Sequence, residues 1–554
     1  MSKSKKNGTS FLVQGSILAV ASIISRIIGL IYRIPMTEII GDIGNDYYGS
    51  AFEIYNVMLI ISSYSLPLAV SKLVSAQVAK GRKKAAYQIF KGGLLFAIVS
   101  GTTVALIVFF GAEFFTANVI KTPFSIFALR VLAPTLLVVA ILGVIRGFFQ
   151  GLGTMMPSAI SQIIEQIVNA IVSIWAAYVL FNYGTKVGKV LGDPDNYAAA
   201  YGAAGGTLGT GLGALAALGF VVFIFFVYMT VFKRQMLREK NVKVDSFGYT
   251  MKILVLTIIP VLLSTTIYNI NGIIDNGIFK HIAMLQGYSK KEISTWWGVY
   301  AGKYKLLVNV PISIAAALAA SSVPSLTAAY AEGNMDQVRR QINAAMRFTM
   351  VISFPCTVGL AVLANPIFKM IFPGTAETAG IASQMMWIGA ITVVFSAMST
   401  LSNGLLQGIN KLLVPVINAL ISLVAHTILV VVLLLFFRIN IYAMVIGDAF
   451  FNFMMSALNA YALKRHSKYK QEVVKTFIVP IICSTIMGVV TFVVYHGLYA
   501  LIKSNVVAVV ISMILAVLTY GICMLLLKGL NEEEIRKFPK GDLIVRIAQK
   551  AKLL

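Results

Sequence analysis

A polypeptide crosses hydrocarbon either as a helix that satisfies its own backbone or as a closed barrel. This chain is a succession of apolar stretches of about 20 residues, the length a helix needs to span a bilayer. Fourteen such stretches lie between polar breaks: 11–34, 48–70, 88–111, 124–147, 158–181, 204–232, 251–278, 297–324, 345–367, 381–406, 412–437, 441–463, 473–499 and 505–528. The breaks are too short to hold a soluble domain. Charged residues make up 12% of the chain and hydrophobic ones 58%, with a mean hydropathy of +0.84, against about 25% charged in an ordinary soluble domain. The expected fold is all-α and polytopic, with about fourteen transmembrane helices.

A formal net charge of +25 invites a nucleic-acid reading. The placement of the charges argues against it. With a cytoplasmic N-terminus, 32 of the 46 Lys and Arg residues fall on the cytoplasmic side, nine on the opposite side and five inside apolar stretches. That asymmetry is the positive-inside pattern. It predicts cytoplasmic placement for both termini, a multi-pass protein of a bacterial plasma membrane, membrane lipids as surroundings and no nucleic-acid partner. The first apolar stretch is too long and too cationic for a cleavable signal peptide. Cys356, Cys483 and Cys523 are far apart and lack metal-ligand spacing, so they are expected to be lipid-facing or core residues.

The two halves echo one another. Gln150-Gly151 followed by Pro157 closes the fourth stretch, and Gln407-Gly408 followed by Pro415 closes the tenth. Pro67 with Ala79-Lys80-Gly81 and a basic run resembles Pro324 with Ala331-Glu332-Gly333 and Arg339-Arg340. The separations are 257 residues for the Gln-Gly pair and 252 for the glycine, which predicts a parallel duplication. The expected organisation is two six-helix lobes related by a pseudo-two-fold axis, over 1–240 and 241–466, with a ligand site between them. Two further helices occupy 467–530, and a cytoplasmic tail, 531–554, is a candidate amphipathic helix on anionic lipid.

Arg26 and Arg33 sit inside the first apolar stretch, where each charge costs about 2.5–3.5 kcal/mol on insertion scales. Seven residues apart, they project from one helical face, which Ser22 and Gly29 complete. Guanidinium forks suit phosphate, so this face predicts the wall of a polar cavity for an anionic ligand. In the seventh stretch Ser264, Tyr268, Asn271 and Asp275 repeat the i, i+4, i+7, i+11 spacing after Pro260, and Asn269, Gly272 and Asn276 widen the stripe. Its oxygens suit Na⁺ or a proton, which makes Asn271 and Asp275 the candidate ion-coupling residues.

In the eighth stretch Lys303 and Lys305 lie on different faces, so one is expected to point into the cavity and the other to snorkel. Trp296 and Trp297 fit an interfacial belt. Glu53, Arg130, Glu165 and Asp448 are expected at helix ends or between helices. His281, His426, His466 and His496 form no metal pair, and Gly205 to Gly213 predicts tight helix packing rather than a phosphate loop. No metal site and no cofactor are expected, nor is enzymatic chemistry.

Three segments carry a resemblance to a known family: Ser25 to Pro35 (SRIIGLIYRIP), Arg146 to Asn169 (RGFFQGLGTMMPSAISQIIEQIVN), and Tyr300 to Tyr304 with Val323 to Leu326 (YAGKY, VPSL). They resemble the MurJ-type lipid II flippases, including their YtgP and stage V sporulation protein B branches, of the multidrug/oligosaccharidyl-lipid/polysaccharide exporter superfamily. The resemblance implies a cationic cavity lined by spans 1, 2, 7 and 8, a hydrophobic groove towards spans 13 and 14 for a polyprenyl tail, and alternating access between leaflets. Ser25, Arg26 and Arg33 match the family's first-span residues, and Lys303 stands where the eighth-span motif commonly has Arg. The chain departs from the pattern at Ile34, where many members have Asp, in one extra residue between the arginines, and in a second span (Ile61 to Leu73) without arginine.

The function expected is translocation of a polyprenyl-diphosphate-linked saccharide, lipid II foremost, from inner to outer leaflet. Ser22, Ser25, Arg26, Arg33 and Lys303 are the substrate contacts, Na⁺ or H⁺ is the candidate coupling ion, and cell-wall synthesis machinery is a candidate partner. The competing expectations are export of another lipid-linked unit (capsular, teichoic or spore-cortex), a cation-coupled multidrug antiporter, and a glycosyltransferase using Asp193 and Asp195.

Overall fold

The computed structural model describes residues 2–239 and 246–529, with isolated positions at 532, 545, 546 and 549. Most of the expected tail, 531–554, therefore lies outside the described residues, as do the side chains of Pro260, Ser264, Tyr268 and Val323 to Ser325. All secondary structure among the described residues is helical. Ten helices are long and apolar enough to cross a membrane, or eleven if the pair Pro373–Gly389 and Thr392–Gly408, bent by 54°, forms one span. One of the ten, Val20–Ala79, covers two of the expected stretches in 60 residues. The chain is a multi-pass membrane protein, and fourteen remains the sequence's expectation for the span count.

Two compact units divide the chain, 1–302 and 303–554. The first holds α1 (Ser2–Leu59), α2 (Leu66–Ala79), α3 (Lys83–Glu113), α4 (Ile126–Gly151), α5 (Met156–Leu191), α6 (Pro194–Leu237), α7 (Phe247–Asn269), α8 (Asn271–Leu285) and α9 (Lys290–Val299). Their ends follow ordinary capping chemistry. Asp193 caps α6 ahead of Pro194, and Ser289 with Glu292 forms a reciprocal capping box on α9. Gly205 and Gly209 of α6 lie so close to Ala176 and Ser173 of α5 that any Cβ would collide. This is the tight packing expected of the glycine run.

Helix α1 is interrupted at Gly41, whose φ of 68° and ψ of −178° are open essentially to glycine alone. The break is bridged by side chains. The Asn45 amide donates to the carbonyls of Gly41 (2.8 Å) and Thr37 (3.2 Å), and the Thr37 hydroxyl donates to Asn45 Oδ1 at 3.2 Å. Further along, Ile60–Tyr64 is a π-turn between α1 and α2. The Ser62 and Ser63 hydroxyls donate back to the Leu59 carbonyl there, which is how hydroxyls commonly deform a helix. The expected seventh span is divided as well: α7 ends at Asn269 and α8 begins at Asn271.

The second unit holds α10 (Lys305–Ala331), α11 (Met335–Val362), α12 (Ala364–Ile371), α13 (Ala379–Gly389), α14 (Thr392–Gly408), α15 (Leu413–Leu435), α16 (Tyr442–Ser467), α17 (Val479–Ile502) and α18 (Asn505–Leu526). A buried amide chain ties three of them together: Asn418 of α15 donates to Asn459 of α16 at 2.9 Å, and Asn459 donates to Ser402 (3.0 Å) and Asn403 (2.7 Å) of α14.

The link between α16 and α17 is clasped by Glu472. It accepts from the Lys475 backbone N–H at 2.7 Å and the Thr476 hydroxyl at 2.9 Å, and it pairs with Arg347 of α11 at 3.4 Å. Partial burial works against the charged carboxylate, but these donors, with the Arg347 and Lys475 charges, outweigh it and hold Glu472 below the ordinary 4.5. The clasp therefore contributes stability that is complete above that ordinary value and fades as pH falls through the depressed one. Glu472→Gln is expected to lower the thermal midpoint at neutral pH and to flatten its acid limb. An acid limb identical to that of the unsubstituted chain would show that the clasp contributes nothing.

Candidate functional site

The arginine face of α1 lies beside α5. Ser22 donates to Gln162 Oε1 at 3.1 Å, and a Cβ on Gly29 would stand 3.6 Å from Gln166 Oε1. The small residues of the stripe thus seat the helix, and the two cations on the same face differ in exposure. Arg26 is exposed and flanked by the exposed Ile23, Ile27 and Ile31. Arg33 is half-buried, its guanidinium 4.9 Å from the centre of the Tyr48 ring, a cation–π stack that fixes its plane. Seven residues of helix separate the two guanidinium stems by about 10 Å along the axis. The Ser25 hydroxyl is shielded and has no hydrogen-bond partner among the described residues.

Lys303 is the first residue of the second unit and follows a different course. It lies within the π-turn Tyr300–Tyr304, which shifts the helical phase. Its ammonium donates to Thr378 Oγ1 (2.6 Å) and the Thr375 carbonyl (3.2 Å), leaving the residue 1% exposed. Lys305 pairs with Asp448 at 3.6 Å. Both lysines find polar partners within the second unit.

Of the expected ion-coupling pair, Asp275 is fully buried and Asn271 half-buried, with a shielded Oδ1 that has no hydrogen-bond partner among the described residues. The neighbouring Asn276 enters a network that the sequence did not disclose. Its amide donates to Glu53 Oε2 (2.7 Å) and Ser50 Oγ (3.0 Å). Lys280, two residues beyond the expected seventh stretch, is 1% exposed and pairs with Asp46, itself fully buried. It also donates to Ser50 (3.0 Å) and to Thr122. Trp297 is no interfacial anchor: it is fully buried, stacked on Phe279, with the Lys280 ammonium 5.7 Å from its ring. One signal was available, since Asp46, Ser50 and Glu53 recur at i, i+4 and i+7 on an apolar helix.

The other ionisable residues take the interhelical roles expected of them. Arg146 of α4 holds Glu165 and Ser161 of α5, both at 2.8 Å, and Arg130 lies 5.9 Å from the Phe109 ring. No group of three or more His, Cys, Asp or Glu residues suited to a metal occurs among the described residues.

The second unit contains a cavity of about 720 Å³. Its walls come from α10 (Leu307, Pro311), α11 (Pro355, Gly359), α17 (Met487) and α18 (Tyr520, Met524). Among its described lining residues the polar side-chain groups are the Thr491 and Tyr520 hydroxyls and the Cys356 thiol, and the Tyr520 hydroxyl is turned onto the Val351 carbonyl at 2.8 Å. The size is that of a site for a small apolar molecule or part of a longer apolar chain.

The sequence profile of the polysaccharide biosynthesis protein family matches residues 12–330, and that of the MatE family matches 306–432. Among characterised proteins, the chain is 26% identical over 507 residues to the lipid II flippase MurJ of Bacillus subtilis, covering 87% of this chain and 88% of that one. It is 23% identical to stage V sporulation protein B of the same organism, covering 97% and 99%. Among solved structures, an inward-facing multidrug resistance MATE family transporter of the MOP superfamily superposes with a TM-score of 0.64 at 14% identity, covering 80% of this chain and 94% of that one. Lipid II flippase MurJ in its inward closed conformation superposes with a TM-score of 0.62 at 15% identity, covering 91% and 97%. These relatives are transporters rather than enzymes. With a family match over more than half its length, the chain belongs to the polysaccharide biosynthesis protein family.

Proposed function

We propose that this protein moves a polyprenyl-diphosphate-linked saccharide, lipid II foremost, from the inner to the outer leaflet by alternating access. The observation that carries the reading is the apolar cavity of the second unit, about 720 Å³ bounded by α10, α11, α17 and α18. Its volume is ordinary for a small-molecule site and its lining is almost wholly apolar; a polyprenyl chain suits such a lining, because it must stay in an apolar phase while its headgroup crosses a solvated passage. In this reading Arg26 and Arg33 hold the diphosphate, Ser22 and Ser25 are further substrate contacts on the first helix, and Lys303 is a candidate substrate contact in the second unit. Asn271 and Asp275 couple transport to Na⁺ or H⁺, both termini are cytoplasmic, and cell-wall synthesis enzymes take the product. Support comes from the family match and from the near full-length likeness to MurJ.

The test is accessibility of lipid II at the outer surface after depletion of this protein, with complementation of a strain lacking its own lipid II flippase. Failure to complement, with a different lipid-linked saccharide retained inside, would redirect the reading to that saccharide. The likeness to stage V sporulation protein B over 97% of the chain makes this the second reading.

Gly521 offers a direct probe of the cavity. It lines the wall, and a Cβ there meets nothing within 4 Å. Gly521→Trp is expected to fold normally and to cut flipping at least about 10-fold by filling the space a tail would take, while Gly521→Ala stays near the parent rate. Equal flipping by both variants would remove the cavity from the transport path.

A further inference from the structure

Helix α5 sets a polar stripe against the arginine face of α1, and most of that stripe is already engaged. Arg146 takes Ser161 and Glu165, both at 2.8 Å. Asn169 donates to the Tyr32 hydroxyl at 3.2 Å and accepts from Ser173 at 2.9 Å. Gln162 and Gln166 differ. Gln162 accepts from Ser22 at 3.1 Å, and Gln166 Oε1 stands 3.6 Å from where a Cβ on Gly29 would be. Both side chains are half-buried, and neither amide nitrogen donates a hydrogen bond among the described residues. Each primary amide thus keeps its two N–H donors unspent. Both lie away from the exposed apolar stripe of α5, formed by Ile160, Ile167 and Ile171, and an idle amide in an apolar helix is costly.

Their place along α1 ties them to the arginines. Ser22, Arg26 and Gly29 follow one another at i, i+4 and i+7 on one face. The Arg26 stem therefore leaves α1 between the two residues that meet Gln162 and Gln166, and Arg33 follows one turn beyond Gly29. Two cations and two unspent amides share one strip of the first unit.

We propose that Gln162 and Gln166 bind the first sugar of the transported molecule, beside the diphosphate held by Arg26 and Arg33. The proposal rests on the transport reading and deepens it. A diphosphate offers only acceptors, which guanidinium forks satisfy best. A sugar hydroxyl both donates and accepts, as a primary amide does, so neighbouring hydroxyls match the N–H and C=O of one amide. Four residues of helix set the two amide stems about 6 Å apart along the axis, close enough for both to reach one sugar ring. The arginines alone would hold a bare polyprenyl diphosphate equally well. The glutamines tell the loaded carrier from the empty one.

The test is equilibrium binding of two probes to the purified full-length protein: a polyprenyl diphosphate carrying one N-acetylhexosamine, and the same lipid without the sugar. The parent is expected to prefer the sugar-bearing probe about tenfold, the worth of two or three neutral hydrogen bonds. Gln162→Met combined with Gln166→Met brings the preference to within about twofold of unity, whereas Arg26→Ala weakens both probes alike. An undiminished preference in the double glutamine variant overturns the proposal. So does an equal weakening of both probes in it, because the glutamines would then only seat α1. Should the double variant not fold, Gln166→Met decides, since that side chain donates no hydrogen bond to the protein: the preference must fall at least about threefold, and an unchanged one refutes the site. A parent that binds both probes equally sinks this proposal and leaves the transport reading standing. A parent that binds neither sinks the transport reading, and this proposal with it.

Discussion

Replacing Arg26 and Arg33 together by alanine is expected to lower flipping at least about 100-fold while the protein still accumulates in the membrane. The two halves of that expectation come from opposite effects of the same charges. In the apolar helix each arginine costs about 2.5–3.5 kcal/mol on insertion scales, so removing both favours insertion and abundance is expected to be unchanged or higher. Against the diphosphate, each charge-assisted contact is worth about 1.5–3 kcal/mol. Loss of two therefore amounts to two or more factors of ten, at about 1.4 kcal/mol per factor.

The single variants should differ. Arg33 has its plane set by the Tyr48 ring at 4.9 Å, so Arg33→Lys keeps the charge but loses the stacked fork. A partial defect, about 10-fold, is expected of it. Arg26 is exposed, with no such support, so Arg26→Lys should be milder. The measurement is outer-surface lipid II in a strain depleted of its own flippase. Full activity of the double alanine variant would sink the diphosphate-binding role of both residues.

The sequence disclosed the helical membrane fold because apolar length is a local property, readable without knowing any contact. It disclosed the arginine face for the same reason: spacing along one helix needs no partner. It missed where a local turn changes a helix's phase: the π-turn Tyr300–Tyr304 sets Lys303 towards Thr375 and Thr378, and no pattern of hydrophobicity registers it. Gly41, with φ 68°, falls in the break that hydropathy places between the first and second stretches. The Lys280 network was hidden for another reason. A lysine near the end of an apolar stretch reads as a loop cation, and only the meeting of α8 with α1, more than 200 residues apart in sequence, turns it into half of a buried pair.

That pair yields the largest stability effect expected in the molecule. Lys280→Met leaves Asp46 as an uncompensated charge in a fully buried position, which typically costs about 3–5 kcal/mol. Asp46→Asn leaves the Lys280 ammonium without its anion and should fall in the same range, eased by Glu53 nearby. The double variant removes both charges and keeps an amide for Ser50 to bond, so it is expected to recover most of the loss. Replacing a whole buried pair with apolar or neutral groups is often nearly neutral.

In a double-mutant cycle the coupling should therefore be about 2–3 kcal/mol, in the upper range for residues in direct contact. Thermal midpoints of the detergent-solubilised protein at one fixed scan rate read it out, since unfolding of a chain this long is irreversible. Asn276→Ala supplies a scale: it deprives Glu53 and Ser50 of neutral donors only, and should cost about 1–2 kcal/mol. If the double variant were as unstable as the sum of its singles, Asp46 and Lys280 would be acting independently. The short contact between them would then be incidental to how α8 is held on α1.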